Sequence, residues 1–330
     1  MSVTTEQEQV VAELRAADKL LLTTHENPDG DALGSLLGMH RVLRQLGKQS
    51  VMYMSPQEFP LPWEYRDWKF EELVGEPPAD VAERTIVFLD CGNIERMPVD
   101  FLKQEGLQVL NIDHHHDNTH FGTVNLVDSG ASCTAEIVHG LALELGAEIT
   151  QPIAHPLYVA LITDTGRFMY ENTTPASHAM AADLIRAGVE PHDVYRQLYE
   201  DLPLVRLQLL QRALASLERH DDGALTVACL TRQDFQELGA LETDSEGVVD
   251  HVRSVEGTAV AVLVRDLLGD ERQGMRKVSL RATDGRVDVS LIARELGGGG
   301  HPQAAGFSTS LPYPELVGTL RERVGRQLRD

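Results

Sequence analysis

The chain has 330 residues, is 42% hydrophobic and carries a formal net charge of −22, from Lys+Arg 29 against Asp+Glu 51. It is long enough for two cores; no apolar run approaches the roughly 18 residues that cross a bilayer, and the N-terminus lacks an apolar signal-peptide core, so a cytoplasmic protein with no membrane partner is expected. Three cysteines, Cys91, Cys133 and Cys229, are odd in number, far apart and without zinc-type spacing, which excludes a disulfide framework and reads as reduced, structural thiols.

An amphipathic helix is predicted over residues 5 to 18. Lys19 to Thr24 then form a short apolar run bounded by Pro, Gly, Asn and Asp, the signature of a buried parallel strand ending in a loop. That loop holds His25, Asp29 and Asp31 within seven positions, and a helix is predicted from about Asp31 to Leu46. A turn followed by an aspartate cap accounts for Asp31 alone. It does not account for His25 and Asp29. The same pattern recurs downstream, where Thr85 to Leu89 end in Asp90, and Val109 to Ile112 end in Asp113-His114-His115-His116. An apolar helical stretch from Leu157 closes on Asp164. In open parallel sheets, ligands gather at the carboxyl ends of the strands.

His25, Asp29, Asp31, Asp90, His114 and Asp164 make two imidazoles and four carboxylates, more than one cation needs. A second ion about 3.5 to 4 Å away, sharing one carboxylate, makes that count sensible. Oxygen and imidazole donors without thiolate suit two divalent ions of octahedral habit, manganese first and zinc as the alternative.

Helices are predicted from Pro175 and Pro191, followed by a helical connector from Leu204 to His220. Beyond it, strands are predicted at 224–230, 258–265 and 277–281, with helices near Val248, Val289 and Glu315. The acidity is uneven: residues 1 to 204 carry a net −19 and the remainder −3. Such a first half repels a long polyanion, and the arginines between Arg265 and Arg294 suit a substrate with few phosphates. Gly297 to Gly300 could be a helix cap and turn, yet four glycines exceed that need; bare backbone lets a phosphate approach closely.

In order, His25/Asp29/Asp31, Asp90, Asp113-His114-His115, Asp164 and Gly297-Gly298-Gly299-Gly300-His301-Pro302-Gln303-Ala304-Ala305-Gly306 resemble the motifs of the DHH phosphoesterase family, most closely its nanoRNase and pAp-phosphatase branch. The resemblance spans most of the chain. It implies an α/β fold: a parallel-sheet DHH catalytic domain at 1–200, a helical linker at 201–221 and a smaller α/β DHH-associated domain at 222–330. It also implies hydrolysis of very short oligoribonucleotides to mononucleotides and of pAp to AMP, by a hydroxide that two metal ions activate.

On this reading Asp90 bridges the ions, His25 and Asp29 complete one site, and Asp31, His114 and Asp164 the other. His115 is the candidate general acid, Asp113 orients an imidazole, and His116 has no role. Arg281, Gly299, Gly300 and His301 hold the non-scissile phosphate or terminal nucleotide. The alternatives are a linear or cyclic dinucleotide phosphodiesterase of the pApA type, a RecJ-like single-strand exonuclease, and a nucleotide-binding module with structural metals. A homodimer through the helices around Ala176 to Ile185 is left open.

Overall fold

The computed structural model describes residues 5–97, 99–200 and 202–329; the linker boundary expected at 201 lies outside them. The chain divides into two compact units, one of Met1–Pro60 with Asp67–Leu198, the other of Leu61–Arg66 with Tyr199–Asp330. Among the described residues, no helix is long and apolar enough to cross a membrane.

The first unit runs α1 (Glu6–Ala16), β1 (Lys19–Thr23), α2 (Gly30–Gln45), β2 (Gln49–Tyr53), β3 (Leu73–Val74), β4 (Thr85–Leu89), β5 (Val109–Asp113), β6 (Val124–Val127), α3 (Thr134–Leu145), α4 (Gln151–Asp164), α5 (Pro175–Arg186) and α6 (Pro191–Tyr199). The six strands form one parallel sheet in the order β3-β2-β1-β4-β5-β6. Leu20, Leu21, Leu22, Ile86, Val87 and Phe88 are completely buried, as continuous apolar runs in a doubly covered parallel sheet should be. The order reverses between β1 and β4, so the crevice favoured for ligands opens at their carboxyl ends.

Helix α2 begins where Asp29 caps it, accepting from the amides of Asp31 and Ala32, and it is buried along most of its length. Its Gly34 lies against α4, where a Cβ would meet Pro156 O at 2.4 Å and the Ala160 methyl at 2.7 Å. Gly38 meets Leu157, so the two helices run antiparallel. The start of α2, with Asp31, therefore lies beside the end of α4, with Asp164.

The second unit holds α7 (Leu204–Ala215), β7 (Glu218–His220), β8 (Leu225–Leu230), α8 (Arg232–Leu238), α9 (Val248–Arg253), β9 (Val260–Asp266), β10 (Arg276–Ala282), α10 (Val289–Glu295), β11 (Gly299–His301), β12 (Ala304–Thr309) and α11 (Tyr313–Gln327). Its mixed sheet is ordered β11-β12-β10-β9-β8-β7, with β8 and β9 parallel and the other pairs antiparallel. One face packs on α10 and α11 through Ile292, Leu316 and Leu320. The other packs on α7, α8 and α9 through Leu209, Phe235 and Val252.

One sequence expectation changes here. The helix read from Leu204 to His220 stops at Ala215, and Glu218–His220 pair with β8 as an edge strand; α7 buries Leu209 and Ala213 in the second unit's core. The glycine run exceeds a helix cap and turn, as expected: beyond Gly297, Gly299–His301 form strand β11 against β12.

Candidate metal centre

His25 follows β1, Asp90 follows β4, and Asp113, His114 and His115 close β5, so three adjacent strands deliver their polar ends to one edge of the first sheet. Among the described residues, potential ligand atoms lie within 4.8 Å of one another in His25/Asp29/Asp90, in Asp31/His114/Asp164 and in Asp90/Asp113/His115. All eight residues expected at the centre from sequence, the six candidate ligands with Asp113 and His115, come together. His116 is exposed.

The hydrogen bonds set the chemistry of each donor. His25 Nδ1 donates to Glu26 O at 2.7 Å; a carbonyl can only accept, so the neutral ring carries its proton there and presents a lone pair at Nε2. That Nε2 faces Asp90 Oδ2 at 3.6 Å. His114 Nε2 faces the other oxygen of the same carboxylate, Asp90 Oδ1, at 3.7 Å, and stands 3.8 Å from both Asp31 Oδ2 and Asp164 Oδ2. These separations exceed hydrogen-bond length. Three carboxylates facing one imidazole nitrogen without bonding to it leave room for a shared cation, so the donor set fits divalent ions. Asp90 offers one oxygen to each side, as a bridge requires.

The electrostatics agree. Burial, together with the charges of Asp90 and neighbouring carboxylates, pushes the carboxyls of Asp31 and Asp164 well above their ordinary range. Burial opposes the charge of Asp90 too, but the neighbouring His25, His115 and His114 rings outweigh it and hold Asp90 well below the usual range. Asp90 sits at φ +58°, a left-handed conformation uncommon for a non-glycine residue but one that aspartate tolerates better than most.

His115 is buried and its Nδ1 bonds Asp113 Oδ1 at 2.7 Å. Burial disfavours the imidazolium, but that bond and the charges of Asp90 and Asp113 prevail and raise its pKa to about 9. Asp113 is itself steadied by Asn118 Nδ2 at 2.6 Å. The thiol of Cys91 donates to Asn93 O, and burial raises its pKa to about 12; burial also lifts that of Cys133 well above its ordinary value. Both thiols are therefore protonated at neutral pH and poor ligands.

Sequence reading missed the supporting residues. Thr134, Ala135 and Ser35 donate to Asp31 or Asp90, and Asn172 Nδ2 donates to Asp164 Oδ2 at 3.2 Å. Only Ser35 had a local signal, lying one helical turn beyond Asp31.

In the second unit, Arg281 and His301 both align with Ala304, across β10-β12 and β11-β12, which puts them on one face of the sheet about 10 Å apart. Asp250 Oδ1 lies 3.4 Å from Arg281 Nε. The locally basic field expected here is largely paired. Arg265 is a buried anchor bonded to Glu242 O, Ser245 and Glu246, while Arg272, Arg276 and Arg286 pair with Glu242, Asp266 and Asp284.

A parallel sheet whose carboxyl edge gathers carboxylates and imidazoles that could hold divalent ions is the arrangement of one class, the metal-dependent phosphoesterases. The model of the DHH family N-terminal domain matches residues 19–161 and that of the DHHA1 domain residues 223–330. The bifunctional oligoribonuclease and PAP phosphatase NrnA of Thermus thermophilus is 36% identical, covering 97% of this chain and 95% of that protein. An exopolyphosphatase-related protein from Bacteroides fragilis superposes with a TM-score of 0.85 at 23% identity, over 100% of this chain and 98% of that one. Exonuclease RecJ bound to manganese superposes at a TM-score of 0.56 and 14% identity, over 99% and 97%. The chain belongs to the DHH family.

Proposed function

We propose that the protein hydrolyses very short oligoribonucleotides to mononucleotides and pAp to AMP, in the cytoplasm, using two manganese ions. The observation that carries this reading is Asp90, whose two oxygens face different imidazoles while two ligand groups converge on either side of it. His25 and Asp29 complete one site; Asp31, His114 and Asp164 complete the other. Two divalent ions bound there supply an activated water and stabilise charge developing on the phosphoryl oxygens. His115, oriented by Asp113, donates a proton to the leaving oxygen. Arg281, Gly299, Gly300 and His301 hold the non-scissile phosphate or terminal nucleotide, Arg281 through its guanidinium fork. The second unit thus serves substrate binding and the first catalysis. The Thermus thermophilus relative, named for both activities, and the manganese of the RecJ structure support the choice of substrates and ion.

The test is the initial rate of metal-stripped protein, with and without added manganese, on a labelled RNA dinucleotide, a long single-stranded RNA and pAp. Manganese-dependent turnover of the dinucleotide and pAp is expected. Preference for the long strand would replace the substrate assignment with a RecJ-like exonuclease, and no turnover would favour a binding module. In His115→Ala, dinucleotide turnover should fall roughly 10²–10⁴-fold with manganese still bound; unchanged turnover removes the proton-donor role.

A further inference from the structure

Asp31 and Asp90 leave different elements, yet one residue of α3 touches both. Thr134 is fully buried. Its Oγ1 donates to Asp90 Oδ1 at 3.0 Å and its main-chain N–H donates to Asp31 Oδ2 at 2.6 Å. The next amide, of Ala135, donates to Asp31 Oδ1 at 3.0 Å, and Ser35 Oγ reaches the same oxygen at 3.1 Å. Cys133, at the N-cap of α3, makes no side-chain cap, so these first-turn amides find their acceptor in a carboxylate from another helix. A threonine hydroxyl at a helix start ordinarily serves its own backbone. Here it is spent on the one carboxylate whose two oxygens face both halves of the centre.

We propose that Thr134 is a positioning residue that fixes Asp90 and Asp31 relative to each other, so that the two ions bind as a coupled pair; this rests on the two-ion reading above. The hydroxyl occupies one lone pair of Asp90 Oδ1, the oxygen facing His114, and so sets the rotation of the carboxylate. Without that bond the carboxylate turns on a short side chain, and one side of the bridge is lost. Groups that orient metal ligands in this way are typically worth 10- to 100-fold in metal affinity.

The experiment titrates manganese into metal-free wild type, Thr134→Val and Thr134→Ser by calorimetry and records low-temperature electron paramagnetic resonance of the loaded proteins. Wild type should take up two ions with the spectrum of an exchange-coupled pair. Thr134→Val keeps the amides and loses the hydroxyl; its affinity should drop 10- to 100-fold and its spectrum become that of isolated ions, while Thr134→Ser restores both. With dinucleotide, kcat of the valine variant should fall at an unchanged KM. If Thr134→Val does not fold, Thr134→Ala makes the same comparison without added bulk. A hydroxyl-free variant with wild-type affinity and a coupled spectrum overturns the proposal alone; a wild type that never shows a coupled pair overturns the two-ion reading with it.

Discussion

Gly297 ends α10 at φ +81°, where only glycine is at ease. A Cβ on Gly298 would meet Gly306 O at 2.1 Å, and one on Gly300, at φ +136°, would meet Ala304 O at 2.4 Å. Gly299 differs: a Cβ there meets nothing within 4 Å. The hairpin thus explains three of the four glycines, and the absent side chain of Gly299 is left for a ligand to explain. Gly299→Ala should leave the melting temperature unchanged and raise KM for a dinucleotide about tenfold, or roughly 1.4 kcal/mol of binding, whereas Gly298→Ala should lower the melting temperature. Steady-state kinetics beside thermal melts check this, and an unaltered KM removes Gly299 from the substrate site. The glycines were conspicuous in the sequence, but their separate reasons were not, because strand β11 is defined by pairing with a partner only three residues on. His25, Asp90 and Asp164 were legible because each ends an apolar run. Thr134 was not, since its acceptors lie 44 and 103 positions away.

Elements carry their own titration. His40 of α2 is buried and its Nδ1 pairs with Ser50 Oγ of β2 at 3.0 Å, tying the helix to the sheet. Burial lowers its pKa, as it does for His139 of α3 and His155 of α4. The folded protein therefore binds these protons less readily than the unfolded chain. Their contribution is fully present above pH 6.5, the unfolded value, and is lost as pH falls below it toward the depressed folded values. Urea midpoints of metal-free protein should decline between pH 6.5 and 5, and less steeply in His40→Asn. Equal slopes would show that His40 does not titrate in this way. Strands β1, β4 and β5 and the helices beginning at Gly30, Pro175 and Pro191 were readable from apolar runs and caps. β7 and β11, at three residues each, fall below the length at which periodicity has meaning.

At the scale of the molecule, the first unit concentrates acidity and then buries part of it, and burial with neighbouring carboxylates pushes Asp31 and Asp164 toward neutrality. Divalent ions that bind the folded centre and not the unfolded chain add about 2.7 kcal/mol per site at a hundredfold excess over Kd. Manganese should raise the melting temperature of the first unit's transition, chelator should reverse the rise, and Asp164→Ala should reduce it. A melting temperature indifferent to manganese would mean that the clusters hold no ion.

The proposed ligands, His25, Asp29, Asp31, Asp90, His114 and Asp164, lie on elements that meet only when the first sheet and its helices have assembled. A chain being synthesised therefore carries no competent centre until α4 has emerged and docked on α2. Ion uptake then marks the completion of the first unit during biosynthesis, and a truncated product ending before Asp164 would escape with no power to consume the nucleotides around it.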